Sequence, residues 1–349
     1  MYHFQPDYRN IVNAARNIEP KRMPFYEHII CDDIMEKVLC INFKELINGS
    51  FNEKKEYFRS YCKFFMEMGY DTVSFEQCIT KALPGAGALY SHTEPVIKDR
   101  DDFEMYPWDQ IPDIFFQKFS ADFKALREVM PDGMKAIGGP GNGIFEIVQD
   151  LCAYDGLCYI SIDDPVLYED IFLKVAKVMK STWKRFLSEF SDVYCVCRFG
   201  DDLGFNTQTL ISVDDIRKHL IPRYKEIVEI IHEYDKPFLL HSCGCIFPVM
   251  DDLIDIVKID AKHSNEDGIA PFKVWVDRYG GRIGNFGGVD ADVLCRSTVK
   301  EIEAYVSEVI GYSRGHEGFA LGSGNSIPDY VPVDGYLSMI ETGRKLRGE

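Results

Sequence analysis

Short apolar runs rich in β-branched and aromatic residues alternate along this chain with longer stretches of helical periodicity. The runs Thr72–Phe75, Met134–Gly138, Cys158–Ile162, Val193–Phe199, Pro237–His241, Val257–Asp260, Arg282–Gly287 and Gly318–Gly322 predict strands. Helices are expected at Glu53–Met68, Ile114–Val129, Ile144–Leu151, Pro165–Phe190, Val213–Glu233, Phe247–Ile254, Val299–Tyr312 and Val333–Leu346. Asp164-Pro165 reads as an N-cap followed by a proline at the first helical position, and Ser212 as the cap of the helix opening at Val213. Gly69 reads as a left-handed stop after Met68. Runs such as Pro237-Phe238-Leu239-Leu240 are apolar on both faces, as strands covered on both sides should be. Strand–helix pairs in series predict an α/β fold, a parallel (β/α)8 TIM barrel, because parallel neighbours need crossover helices. One domain is expected over residues 1–349, with extra N-terminal segments ahead of a core that begins about residue 22. The weakly periodic stretch Thr80–Pro112 is expected to be a lid or a helical excursion.

A closed parallel barrel carries its chemistry at the C-terminal ends of its strands. Several predicted strands run there into polar clusters: Gly200-Asp201-Asp202-Leu203-Gly204, His241-Ser242-Cys243-Gly244, Asp260-Ala261-Lys262-His263-Ser264, Gly287-Gly288-Val289-Asp290 and Gly322-Ser323-Gly324-Asn325-Ser326. Paired aspartates in a loop are often caps, and a lone histidine after a strand is often a satisfied hydrogen-bonding residue. Convergence on one rim changes that balance. Asp202, His241, Glu76 and Asp260 are the expected catalytic groups, and Asp201, Arg198, Lys262, His263, Asn325 and Phe145 the expected substrate contacts. In His241-Ser242-Cys243, residues i and i+2 point the same way, so imidazole and thiolate can hold one cation; nitrogen with sulfur suits zinc. A capped turn with a buried thiol is the alternative. Cys245, followed by Ile246 and Phe247, reads as packed. The glycines of Gly138–Gly143 let backbone approach a ligand closely, but no phosphate-loop lysine follows.

The formal charge of −17, from 39 basic and 56 acidic side chains, argues against nucleic acid and anionic membrane as partners. The 11 cysteines are scattered and odd in number, and Met1-Tyr2-His3-Phe4 begins no signal peptide, so a reduced, cytoplasmic protein is expected.

Taken in order, several motifs resemble the uroporphyrinogen decarboxylase superfamily, which also contains corrinoid-linked and cofactor-M-type methyltransferases. They are Arg22-Met23-Pro24, Gly139-Pro140 with Phe145-Glu146, Gly200-Asp201-Asp202-Leu203-Gly204, Ile211-Ser212, Pro222, His241-Ser242-Cys243-Gly244, Gly287-Gly288-Val289-Asp290 and Asn325-Ser326-Ile327-Pro328-Asp329. The resemblance implies a (β/α)8 barrel with a deep rim cleft. The decarboxylase pattern has an Arg-rich N-terminal segment for a polycarboxylate; here that place reads Ile18-Glu19-Pro20-Lys21-Arg22-Met23-Pro24. The methyltransferase pattern has zinc on a His-x-Cys pair and a later cysteine. His241 and Cys243 match the pair, while Asn325-Ser326 stands where the later cysteine would be. Oxygen from Glu76, Asp202 or Asp260 would then complete the metal's ligands. The resemblance therefore implies a methyltransferase acting on a small-molecule substrate, with a corrinoid or tetrahydropterin as methyl carrier, a corrinoid protein as a partner, and a possible homodimer. A decarboxylase of a carboxylated substrate and a non-catalytic partner of a corrinoid protein are the alternatives.

Overall fold

A computed structural model describes residues 4–90 and 93–349. Met1, Tyr2 and His3, and Ser91 and His92 within the expected lid, lie outside the described residues. Seven strands form one sheet in chain order, every neighbouring pair parallel: β1 (Thr72–Cys78), β2 (Lys135–Gly141), β3 (Tyr194–Gly200), β4 (Phe238–His241), β5 (Ala261–His263), β6 (Gly284–Val289) and β7 (Phe319–Ser323). Helices follow the strands, so the fold is TIM-barrel-like. It is not the closed eight-stranded barrel expected.

Two expected strands account for the difference. Cys158–Ile162 is not a strand; it lies within the helix Tyr154–Asp163, where Tyr159 and Ile162 are exposed. A short apolar run does not by itself separate a buried strand from a helix. Val257–Asp260 is the link into β5. A π-helical turn Leu253–Val257 ends on left-handed Lys258, and the strand follows at Ala261–His263, inside the expected polar cluster.

The gap between β7 and β1 is occupied by the extended N-terminal segment around Phe25–Ile30. Tyr26 N donates to Leu321 O and Leu321 N to Pro24 O, with parallel bridges at Phe25–Leu321 and Ile30–Ile327. On its other side Ser74 of β1 donates its hydroxyl to Glu27 O. Pro24 has no N–H, and the pairing is too sparse to register as a strand.

Two apolar cores flank the sheet. The larger lies between strands and helices; the smaller fills the barrel with Tyr26, Ile137, Val196, Leu239, Ala261, Phe286 and Ala320. The short helix Arg9–Ala15 joins the inner core through Ile11, Ala14 and Ala15 and closes its N-terminal end. The expected lid is a helical excursion: short helical turns at Ile79–Ala82, Ala88–Tyr90 and Trp108–Gln110 surround the helix Arg100–Met105. Among the described residues no helix is long and apolar enough to cross a membrane, and all 11 cysteines are free.

Candidate active site

Strand alternation builds a polar layer directly above the inner core. Leu239 and Ala261 point into the barrel, so His241 and His263, two residues further, do so as well; Arg198 follows Val196 in the same way. Arg198 is fully buried. Its Nε and Nη2 donate to Glu76 Oε2 at 3.0 and 2.8 Å, and Nη1 donates to Tyr26 Oη and His28 O, each at 3.0 Å. All its edges are therefore engaged by protein groups. A buried guanidinium paired this fully holds its neighbours in place and engages Glu76 through Oε2, leaving Oε1 without a hydrogen bond among the described residues.

The histidines form a directed relay. His263 Nε2 lies 3.0 Å from Ser323 O, a carbonyl that only accepts, so Nε2 carries the proton. His263 Nδ1 is then an acceptor, and His241 Nδ1, 2.7 Å away, must donate to it. That leaves the lone pair of His241 on Nε2, which lies 3.4 Å from Cys243 Sγ. Burial lowers the pKa of all three histidines here, that of His263 to about 3, so His28, His241 and His263 are neutral. His28 stacks on His241 with ring centroids 3.7 Å apart and planes 13° from parallel. Parallel rings aim their lone pairs into separate planes, so His28 and His241 are poorly placed to share an ion.

Asp202, His241 and Cys243 are better placed. Their ligand atoms, like those of His28, His241 and His263, all lie within 4.8 Å of one another. The nitrogen–sulfur separation of 3.4 Å matches an edge of a tetrahedron with bonds of about 2.0–2.3 Å. Asp202 Oδ1 accepts from Cys243 N at 2.8 Å, which fixes the carboxylate beside the thiol. Burial, and then Asp202, raise the Cys243 pKa well above the ordinary thiol value, so the sulfur carries its proton. Asn325 Nδ2 donates to Cys243 Sγ at 3.5 Å and to Glu266 Oε1 at 2.8 Å. Asp202, Cys243, Glu266 and Asn325 are half-buried, and a cavity of about 380 Å³ borders Glu266 and Asn325.

A third group anchors the rim. Asp201 is buried and accepts from the backbone N–H groups of Phe145 and Glu146 at 2.9 and 2.8 Å, capping the helix Ile144–Cys152. Tyr224 donates its hydroxyl to the same carboxylate. Gly143 leaves the space that the Asp201 side chain occupies; a Cβ there would collide with it. Burial raises the Asp201 carboxyl to about 7, and burial with Asp201 and Asp202 nearby raises the Glu146 carboxyl well above the usual carboxylate range. Glu146 Oε2 accepts from Asn142 Nδ2 at 2.7 Å.

The structure thus brings Asp202, His241, Cys243, His263, Asn325, Glu76 and Arg198 to one end of the barrel. It does not bring Asp260 there. Asp260 precedes β5 and bonds His232 Nε2 and Phe238 N, each at 2.7 Å, at the opposite end of the strands. Phe145 is a fully buried core residue whose backbone, not its ring, faces the site. Lys262 points outward between Ala261 and His263, lies 3.7 Å over the Trp275 ring and donates to Ser264 O. Its pKa falls to about 7 through burial. Asp201 is engaged as a helix cap. Sequence reasoning missed His28, Glu146 and Glu266. His28 lies in a segment with no strand signal, whereas Glu146 beside Phe145 was visible as the polar member of a helical first turn.

No protein-family model and no curated protein matches the chain. Among solved structures, a methyltransferase from Methanosarcina mazei superposes with a TM-score of 0.70 at 16% identity, covering 97% of this chain and 98% of that one. A candidate vitamin-B12 independent methionine synthase from Listeria monocytogenes superposes with a TM-score of 0.51 at 16% identity, covering 94% of this chain and 100% of that one. At such identities the likeness is one of fold.

Proposed function

We propose that this protein is a methyltransferase that moves a methyl group between a small methylated donor, a corrinoid or tetrahydropterin carrier and an acceptor. The observation that carries the reading is the relay from Ser323 O through His263 to His241, which presents one nitrogen lone pair to the Cys243 thiol beside Asp202. His241 Nε2, Cys243 Sγ and an Asp202 oxygen would hold zinc, leaving a position open. Bound zinc would supply positive charge that stabilises a thiolate. The rest belongs to the chain. His263 fixes the His241 tautomer, Asp202 holds the Cys243 backbone, and Asn325 donates to the sulfur, so the acceptor meets a prearranged set of groups. Glu76 Oε1 and Glu146 offer carboxyl oxygens above the Arg198 layer for orienting substrate. Similarity of fold over nearly the whole length to a methyltransferase supports the reaction class.

The decarboxylase alternative needs a cation free to meet a carboxylate. Arg198 is enclosed by Glu76, Tyr26 and His28, and Lys262 faces Trp275, which weighs against it.

Metal analysis and methyl transfer test the proposal together. Purified protein should hold close to one equivalent of zinc, lost in His241→Ala and in Cys243→Ala. Transfer from methylcobalamin or methyltetrahydropterin to a small thiol should stop with chelator. Less than ~0.1 equivalent of zinc, with transfer unaffected by chelator, removes the metal from the mechanism. No transfer from either carrier, with zinc bound, removes the methyltransferase reading.

A further inference from the structure

We propose that His28 is a positioning residue: its imidazole is a plate that holds the His241 ring in the plane from which Nε2 meets Cys243. The inference deepens the zinc-site reading above and, for its effect on metal, rests on it.

The relay leaves one motion of His241 open. The ring is tied to His263 by a single hydrogen bond, and the torsion that turns an imidazole about its Cβ–Cγ axis is broad. One such bond contributes about 1 kcal/mol net, which by itself leaves other ring orientations populated. A face contact supplies what is missing. His28 lies against His241 with centroids 3.7 Å apart and planes 13° from parallel, closer and flatter than the His241–His263 pair at 4.9 Å and 38°. Gly200 pairs with His241 in the sheet, and a Cβ built on it would stand 3.5 Å from His241 Cδ2, so backbone borders that edge. Nδ1, one face and the Cδ2 edge of His241 are thus each met, and Nε2 stays turned to Cys243 Sγ.

What His28 contributes is its face. The residue is 7% exposed, its Nδ1 is closed off without a partner, and its Nε2 makes no hydrogen bond among the described residues. A buried imidazole held for its nitrogens would have a hydrogen bond. The backbone anchors the residue instead. His28 O accepts from Arg198 Nη1, Glu27 O accepts from Ser74 Oγ, and Tyr26 N donates to Leu321 O. The plate therefore stands on the seam and the buried guanidinium, independently of its own ring atoms. A metal that draws electron density from the His241 ring would strengthen the contact, because a neutral aromatic face attracts positive charge.

Two substitutions in the whole chain separate the face from the nitrogens. His28→Phe keeps a flat ring and has no nitrogen; His28→Gln keeps hydrogen-bonding groups and has no ring. Both leave the backbone anchors in place, so both should fold, with the thermal midpoint as the check. In metal-free protein with 15N-labelled histidines, the His241 Nδ1–H proton is assigned by its loss in His241→Ala. Its exchange with water is then read by NMR. The signal should be sharp in the parent and in His28→Phe, and should exchange away in His28→Gln. Zinc affinity, read by competition with a chromogenic chelator, should fall about tenfold in His28→Gln and recover in His28→Phe. A His28→Gln signal as sharp as the parent's overturns the plate. So does a signal lost in His28→Phe, which gives the role to the nitrogens. No protected His241 proton in the parent overturns the inference as well. A parent that binds no zinc removes the metal reading, and the proton signal still decides this one.

Discussion

His241 can present Nε2 only because His263 accepts at Nδ1, and His263 can accept there only because Ser323 O takes its other proton. Removing the middle of this relay should therefore act on the metal rather than on the fold. In His263→Ala, zinc affinity should fall about 10–100-fold, as it does when groups supporting a metal-bound imidazole are lost. Competition with a chromogenic chelator reads the change; unchanged affinity would leave the relay without that role. Glu27 makes a separate residue-scale case. It is fully buried, Ser323 donates to it from both N and Oγ, and burial raises its pKa to about 8. A carboxyl that binds its proton more tightly when folded gives full stability below its unfolded pKa of about 4.3 and loses it as pH rises towards about 8. Glu27→Gln can still accept from Ser323 N and donate to Ser323 Oγ. It should remove about 2–4 kcal/mol of the stability lost between pH 5 and pH 8, read from urea midpoints at the two pH values. Parallel pH profiles for parent and variant would refute this.

At the scale of elements, β2 and the helix after it show how a glycine-rich run becomes a site wall. Gly139 adopts φ +134°, and a Cβ there would come within 2.6 Å of Trp183. Gly143 makes room for Asp201, whose carboxylate caps the helix at Phe145 and Glu146. This turns Phe145 into the core and Glu146 towards the rim. Asp201→Ala leaves those two N–H groups and Tyr224 without their partner, so it should cost about 2–3 kcal/mol in denaturant unfolding. A loss under 0.5 kcal/mol would show that water replaces the cap. The same elements mark how far the sequence could be read. Asp201-Asp202 stood out as a pair, but its division into a cap and a site residue depends on which carboxylate meets the helix start. Likewise His263 was visible, while the strand that holds it was misplaced, because His263 faces an interior polar layer and Lys262 points outward over Trp275, which together break the apolar strand signal.

For the whole molecule, the seam between β7 and β1 is the decisive feature. The segment around Phe25–Ile30 closes it with few backbone bonds, yet carries Tyr26, Glu27 and His28 into the polar layer. If the seam is part of the cooperative core, the amides of Tyr26, Cys31 and Ile327 should exchange as slowly as those of β6 and β7. Exchange at the rate of the exposed Phe205 loop would show that the segment opens independently.

The sequence by itself determined the alternation of strands and helices, most strand positions, and the polar residues that end them, because periodicity and capping are local properties. Tertiary structure alone decided three things. It decided that the apolar run Cys158–Ile162 would lie in the surface helix Tyr154–Asp163, since burial depends on what packs against a segment. It set Asp260 at the far end, since β5 begins at Ala261, just after Asp260, where the expected strand ended on it. It also gave His28 its neighbours, since a seam filled by a distant segment leaves no periodic mark in the chain.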